Sequence, residues 1–537
     1  MSKVTTLITK PAQRPRQPKM VLGNKGLIVD YDALKRYLGV KPTKELLDSL
    51  TLSKKKFAGR NKTIVIVSKI YKFVKIPKDG KVVTLLSLPR FFQTYAEEFP
   101  FQLTIRHPEF KTIPAEKFLK DGESTISLMD YQQAIHDHLI ETVYKPDSED
   151  PQECLERGCV LVLDTGRGKT YTAGGIIRTL GVKTLVVAHN SRGLEEWEKM
   201  LKNYPNIKVG YYCTGKRVDG DVVIMVINSA MRPNFDFTPK KKKSDKVAPA
   251  KQVISRDKYF KQFGLVIYDE IPEYLSEKRR MLFWDTNFKY SLGLTATPED
   301  NLNDWDPIYQ MHVGPLIHAT EIPGFTVDDI EWDFTVRAIN YYGPAEHTEQ
   351  KVSDTTNMTV CAWMAEQFVE DPYRNKMIID IIQEYYDEGH CIFVFGEKRS
   401  VLTDFAEKIR ESLGLDPLIP EDKEQIKDIM GGSSNADVQS AVDNSRIILT
   451  TYQYGSKGMS IGKMTRGIQL TPRRHGMKQV TGRLTRADGD VTIPRIWVDV
   501  RDCNTSLVSQ KRERNADYIE KGFEIEEEKI SYTDITI

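Results

Sequence analysis

Cys159-Val-Leu-Val-Leu-Asp-Thr-Gly-Arg-Gly-Lys-Thr170 is the stretch from which the rest of the chain can be read outward. Its five apolar residues predict a buried strand, Asp164 to Gly168 a tight turn, and Lys169-Thr170 the opening of a helix that runs to Leu180. A strand feeding a Gly-rich turn at a helix N-terminus is a phosphate cradle, because backbone N–H groups and the positive end of the helix dipole converge on one anion. Gly166 and Gly168 let the backbone approach closely, Lys169 adds a mobile positive charge, and the Thr170 hydroxyl suits Mg2+. One position departs from the usual formula: Leu163 stands five residues before Gly168, where Gly or Ala is expected.

A chain of 537 residues has room for about three domains. Its net charge is only +2, unevenly spread: residues 1–120 hold 25 Lys/Arg against 9 Asp/Glu, a balance of +16, and the remainder carries −14. Such asymmetry points the front of the chain at a polyanion, with a solvated lysine-rich surface as the plainer alternative. The six cysteines form no CxxC pair and no His cluster, as expected of ordinary thiols in a reducing compartment. No run of 18 apolar residues exists, so no membrane span is expected. Residues 1–20 are charged and proline-bearing without an apolar core, which reads as a flexible arm rather than a signal peptide.

In chain order, Gly26 to Asp30 reads as a strand, and Tyr31 to Leu50 as two helices broken near Pro42. Thr63 to Ser68, Tyr71 to Ile76 and Val82 to Leu88 read as strands, the last two joined by a turn at Lys78-Asp79-Gly80-Lys81. Lys69, Lys72, Lys75 and Lys78 run along these strands with Tyr71 and Phe73, a pattern that suits a nucleic-acid surface and equally a sheet edge guarded by lysines. This basic α+β unit is expected to end near residue 120, and Ser127 to Ile135 begins an amphipathic helix.

From Val160 to about Val313, short apolar strands alternate with helices, the signature of a doubly wound parallel sheet covered on both faces. Pro233 to Asp257, with Lys240-Lys-Lys-Lys243, reads as an inserted mobile loop that either touches phosphates or is merely solvated. A second βα series starts after residue 370, and the charged chain beyond about 511 reads as a closing helix. The expected division is 1–120 basic domain, 121–330 first lobe, 331–510 second lobe and 511–537 tail.

Val266-Ile-Tyr-Asp269-Glu270 is an apolar strand ending in two acids, and strand C-termini are where open α/β sheets hold ligands. The pair suits phosphoryl transfer, Asp269 holding Mg2+ and Glu270 orienting and deprotonating water.

With these blocks in view, the chain resembles the superfamily 2 helicases and translocases across roughly residues 125–510. Tyr131-Gln132 is similar to the adenine-recognising helix, and Asp164 to Thr170, through Thr165, Gly166, Arg167, Gly168 and Lys169, to motif I. His189 to Trp197 is similar to motif Ia, with His189 where proline is usual, and Asn228-Ser229 falls at motif Ib. Asp269-Glu-Ile-Pro272 is similar to motif II and Gly293-Leu-Thr-Ala-Thr-Pro298 to motif III. Phe395 to Lys398 is similar to motif IV, Thr450-Thr451 with Gly458 to Ile461 to motif V, and Gln479-Val-Thr-Gly-Arg483-Leu-Thr-Arg486 to motif VI.

The resemblance implies two tandem RecA-like parallel-sheet lobes behind the small basic α+β domain, using ATP and Mg2+ as cofactors. It makes Lys169, Asp269, Glu270, Gln479, Arg483 and Arg486 catalytic, with Arg483 and Arg486 as arginine fingers and Thr170 and Asp269 on the metal. Gln132 would read adenine, while Asn190, Ser229, Thr295, Thr297, Lys398 and Thr451 would contact nucleic acid or couple it to hydrolysis. Departures include Pro272, where His or Asp is common, and Ser460, where Asp is common. The motif set departs from DEAD-box and DEAH RNA helicases and is similar to the group of phage UvsW, RecG-like and XPB-like DNA enzymes and to large-DNA-virus members. The implied activity is an ATP-dependent 3′→5′ DNA helicase acting on forks and junctions in replication, recombination or repair. Its partners would be DNA and replication or recombination proteins, in the cytoplasm, at the nucleoid or in a virus host. Two alternatives stand beside it: a duplex translocase or transcript-release motor, and an ATP-sensing DNA-binding scaffold.

Overall fold

The computed structural model describes residues 17–537 apart from 24, 58–62, 79–80, 93–100, 108, 121–122, 125, 214, 240–249, 299–305, 328–330, 353–360, 456–460 and 487–488. The expected N-terminal arm, the Lys240–Lys243 run and Gly458 to Ser460 of motif V therefore lie outside the described residues, 1–16 in the case of the arm. Two compact units are present, one built mainly from Val65–Val327 and the strands before it, the other mainly from Asp328–Ile537.

The first unit is organised by an eight-stranded sheet. Its order is Arg217–Val218, Val209–Tyr212, Val222–Val226, Thr184–Ala188, Leu265–Asp269, Tyr290–Thr295, Gly158–Val162 and Leu316–His318. Every pairing is parallel except that of the edge strand Arg217–Val218. Alternate residues feed two separate cores. Val160, Leu185, Val187 and Val266 face one, while Cys159, Leu161, Val186 and Ile267 face the other. Burial on both faces is why these strands are continuous apolar runs instead of alternating ones.

The basic front segment forms a five-stranded sheet in the order Lys72–Lys78, Lys81–Leu88, Gly26–Asp30, Lys19–Gly23 and Gln102–Ile105. It does not have a core of its own: Met20, Leu22, Leu27 and Leu88 share a buried cluster with Val160, Val187 and Tyr309 of the large sheet. Arg90, just past the sheet, is buried and donates to four carbonyls of the lobe, those of Cys154 (2.7 Å), Leu155 (2.5 Å), Phe288 (2.9 Å) and Lys289 (3.1 Å). Burial pushes its guanidinium down to about 9. Lys25 bridges Asp257 (2.9 Å) and Asp285 (2.5 Å), and Lys72 lies over the Trp284 ring at 4.7 Å. Lys72 thus turns away from the surface row expected for it, and burial pushes its amine down to about 8.

Two local expectations shift. The helices Tyr31–Leu38 and Val40–Ser49 break at Gly39, whose φ of 93° is open to glycine, and not at Pro42. Pro42 sits in the first turn of the second helix, where its missing N–H costs nothing. The segment expected to be an inserted loop contributes a short antiparallel pair, Asn234–Asp236 with Val253–Ser255.

The second unit is a seven-stranded, all-parallel sheet. Its order is Ile426–Asp428, Ile447–Thr451, Ile392–Gly396, Arg466–Gln469, Arg495–Asp502, Phe334–Tyr342 and Glu524–Ser531. Two of these strands correct the sequence reading. The series begins at Phe334, before residue 370, and the chain after 511 is no simple closing helix. Helix Lys511–Glu520 buries Tyr518, whose hydroxyl accepts the Trp497 indole N–H at 3.1 Å. The following edge strand runs parallel to Phe334–Tyr342. Its glutamates find cations in the sheet, Glu528 at 2.6 Å from Arg337 and Glu527 at 2.7 Å from Arg501.

If the last segment is integral, Tyr518→Ala should lower unfolding free energy by roughly 3–5 kcal/mol, the usual cost of emptying a buried aromatic site. Urea unfolding of the full chain would read it. A loss below about 1 kcal/mol would mean that the segment only decorates the lobe.

Candidate functional site

The cradle is built where Gly158–Val162 leaves the sheet. Leu163 extends the ladder by one bond, its N–H donating to the Thr295 carbonyl at 3.0 Å, so the loop and motif III begin side by side. The Leu163 side chain points into the core, leaving only backbone at the loop, and its carbonyl accepts the Lys169 ammonium at 3.1 Å. The larger residue is therefore accommodated without blocking the cradle. Gly166 (φ 81°) and Gly168 (φ 74°) take left-handed conformations, and helix Lys169–Leu180 starts immediately after. Thr165 and Thr170 are half-buried beside them.

Helix Asp130–His138 meets this loop through one carbonyl. Both Tyr131 Oη (3.2 Å) and Gln132 Nε2 (3.3 Å) donate to Arg167 O. A Cβ on Gly168 would collide with the Gln132 amide, so this close approach requires glycine. Tyr131 also stands edge-on to Phe325 at 5.9 Å, an aromatic that no motif signalled.

The two acids leave the carboxyl end of Leu265–Asp269, separated from the cradle strand only by Tyr290–Thr295. Asp269 is nearly closed off from solvent, and its carboxyl is pushed up to about 7 by burial first, then by the charges of Glu270 and Glu196, with Lys169 opposing. Glu270 has φ 52°, one of two non-glycine residues in that region among the described residues. A side chain held there costs about 1–3 kcal/mol, strain that accumulates at working sites. Pro272 follows in the turn Ile271–Tyr274.

These groups fit a nucleotide with a divalent cation: a glycine cradle at a helix N-terminus, a lysine, and a half-buried carboxylate pair whose like charges favour a cation nearby. Thr170 and Asp269 are the residues that could hold such a cation.

Other expected residues are placed as follows. Asn190 caps helix Ser191–Leu201, its Oδ1 accepting the Gly193 N–H at 2.9 Å. Ser229 is half-buried in the turn Ile227–Ala230. Thr295 is fully buried, with its hydroxyl accepting the Thr297 N–H at 3.1 Å.

In the second unit, Lys398 precedes helix Arg399–Ser412 and pairs with Glu366 at 2.5 Å. Thr451 ends its strand and accepts the Tyr454 N–H at 3.3 Å. Gln479 lies half-buried on helix Met477–Thr481, Arg483 is buried just past it, and Arg486 is half-buried. That helix is braced by the C-terminal segment: Asp517 accepts the Met477 N–H at 3.1 Å, and Lys478 pairs with Glu520 at 2.5 Å.

Several known proteins are similar to this chain in sequence. Residues 125–300 match the family described as type III restriction enzyme, res subunit. An African swine fever virus protein provisionally named an ATP-dependent RNA helicase is 27% identical over 506 residues, 89% of this chain and 86% of its own length. The DNA 3′-5′ translocase XPB2 of Sulfurisphaera tokodaii is 25% identical over 167 residues, 31% of this chain and 33% of that protein. The crystal structure of T4 UvsW aligns with 96% of this chain and 100% of its own at 14% identity and a TM-score of 0.33, too loose a likeness to carry an argument. Among the described residues no helix is long and apolar enough to cross a membrane.

The Asp269 carboxyl yields a pH test. Its folded value lies above its unfolded one, so the folded state holds that proton more tightly and loses stability as pH rises from about 4 to about 7. In EDTA without nucleotide, Asp269→Asn should therefore be more stable than the native chain at pH 8 by up to about 4 kcal/mol, with the gap closing towards pH 4. Parallel thermal melts would measure it. An equal gap at both pH values would contradict the burial of this charge.

Proposed function

We propose that this chain, an ATP-hydrolysing helicase of superfamily 2, couples hydrolysis to 3′→5′ movement along DNA and thereby unwinds or branch-migrates forks and junctions in replication, recombination or repair. The observation that carries the hydrolytic part is the convergence of the Lys169 cradle and the Asp269–Glu270 pair at the carboxyl end of one parallel sheet. Gly166, Gly168 and Lys169 bind the phosphates, and Glu270 takes the proton of the attacking water. Thr170 and Asp269 would hold a Mg2+ ion, whose charge would neutralise the phosphate oxygens. Gln479, Arg483 and Arg486 of the second lobe stabilise charge on the transferring phosphoryl group, and Gln132 with Tyr131 receives the adenine. Asn190, Ser229, Lys398 and Thr451 track the phosphate backbone, and Thr297 couples that track to the cradle.

DNA is favoured as the track by the Thr-Ala-Thr-Pro and Tyr-Gln motif forms and by the translocase named among the relatives. The viral relative's name points instead to RNA, and the substrate assay decides between them. The front sheet supplies a further foothold. Tyr31, Tyr71 and Phe73 form an edge-to-face trio, with centroid distances of 4.9 and 5.7 Å from Phe73, beside Lys35 and Lys69. Half-exposed aromatics ringed by lysines suit unpaired bases. Duplex translocation without strand separation remains the second reading, since the archaeal relative is named a translocase.

ATP turnover should rise with single-stranded, forked or four-way-junction DNA and stay low with RNA. Lys169→Ala and Glu270→Gln should reduce it at least 100-fold. Near-normal turnover in either variant would refute the assignment of the site. Strand-displacement and triplex-displacement assays run side by side separate the two motor readings.

Because the front sheet shares the lobe's core, deleting it would expose that core, and point variants give the cleaner test. Phe73→Ala should weaken single-strand binding roughly tenfold at unchanged salt slope. Lys75→Gln should lower that slope by about one. Unaltered binding in both would remove the sheet from the track.

A further inference from the structure

His189 occupies a position where the motif usually carries proline, and its surroundings give it something to do. The Gly193 N–H donates to Asn190 Oδ1 at 2.9 Å, which fixes the amide's orientation. The Asn190 Nδ2 group therefore faces His189 Nε2, at 2.6 Å. An amide NH2 can only donate, so Nε2 accepts, and the neutral ring carries its proton on Nδ1. Nδ1 lies 4.0 Å from Asp269 Oδ2, and the two side chains are only 11% and 13% exposed.

A second feature keeps this path open. A Cβ on Gly193 would stand 3.0 Å from Asp269 Oδ2 and 3.7 Å from His189 Nδ1, so the bare backbone leaves the lane between ring and carboxylate clear. A separation of 4.0 Å exceeds a hydrogen bond, but contacts in ligand-free sites commonly tighten when the complex forms.

We infer that His189 is a positioning residue that ties the nucleic-acid side of motif Ia to the acid of the hydrolytic site. Nδ1–H aims at the Asp269 carboxylate, while Nε2 is anchored by Asn190. A phosphate that draws the Asn190 amide away removes the donor that fixes the ring's proton, and the orientation of Asp269 changes with it. Nucleic acid on one side of the strand end thereby acts on the carboxylate at the other. The inference rests on Asp269 being the acid that holds the cation.

Histidine-ring 15N spectra of the full chain at pH 8, with the His189 signal assigned by its loss in His189→Asn, read the relay directly. The expected state is the neutral Nδ1–H tautomer, with Nε2–H gaining in Asn190→Ala. An Nε2–H tautomer or an imidazolium in the native chain overturns the inference. The second arm compares two replacements, since an Asn amide falls near the position of Nδ1 and a Gln amide near that of Nε2. His189→Asn should need about tenfold less Mg2+ than His189→Gln for half-maximal hydrolysis, the usual scale for residues behind a metal ligand. Equal Mg2+ demand also overturns it. Undiminished hydrolysis in Asp269→Asn would instead sink the assignment of Asp269, a failure distinct from that of the tautomer.

Discussion

Two carboxylates at the end of a dry parallel strand repel each other, and the rest of the structure is arranged around keeping them there. Asp269 is nearly closed off from solvent, Glu270 sits in a left-handed conformation, and Glu196 adds a third negative charge, while the Lys169 ammonium opposes them. Left to itself, such a group would neutralise or swing into solvent. It stays because the strand behind it is covered on both faces, so the backbone cannot relax without opening two cores. A bound cation would relieve that local instability.

The front sheet shows how far charge composition can mislead about a surface. The +16 balance of residues 1–120 suggested a polyanion-binding face, yet part of that charge holds the sheet to the lobe. Arg90 is spent on four carbonyls, Lys25 on two aspartates and Lys72 on an indole face. Among the cations that remain outward, Lys35 and Lys69 stand at the rim of an aromatic trio. A buried cation and a solvated one read alike in sequence; only the partners distinguish them.

The same divide governs what could be read in advance. Gly158–Val162, Thr184–Ala188 and Leu265–Asp269 announce themselves because burial on both faces demands unbroken apolar runs. The cradle and the acid pair are local patterns, legible from spacing alone. Phe334–Tyr342 and Glu524–Ser531 went unread for opposite reasons. The first alternates apolar and polar residues ahead of the expected βα series, and the second carries four glutamates in eight residues. Its stability as a strand comes from ladder bonds to a neighbour nearly 190 positions away and from Arg337 and Arg501, none of which its own composition reveals. The Tyr131–Phe325 and His189–Asp269 contacts were invisible for the same reason, being set by the packing of elements remote in sequence.

The departures from the family pattern acquire a common meaning in this light. Leu163 is tolerated because only its backbone serves the loop, as acceptor for Lys169 and donor to Thr295, so the motif's usual small residue is not needed for clearance. Pro272 is a different matter. Its ring carries no donor or acceptor, so the side-chain link that His or Asp makes from this position cannot form. The imidazole of His189, standing where proline is usual, lies 4.0 Å from Asp269, the acid three residues upstream of Pro272. Each change taken singly looks like erosion of a motif. Together they leave motif II without a polar side chain at position 272 and place a titratable ring 4.0 Å from Asp269.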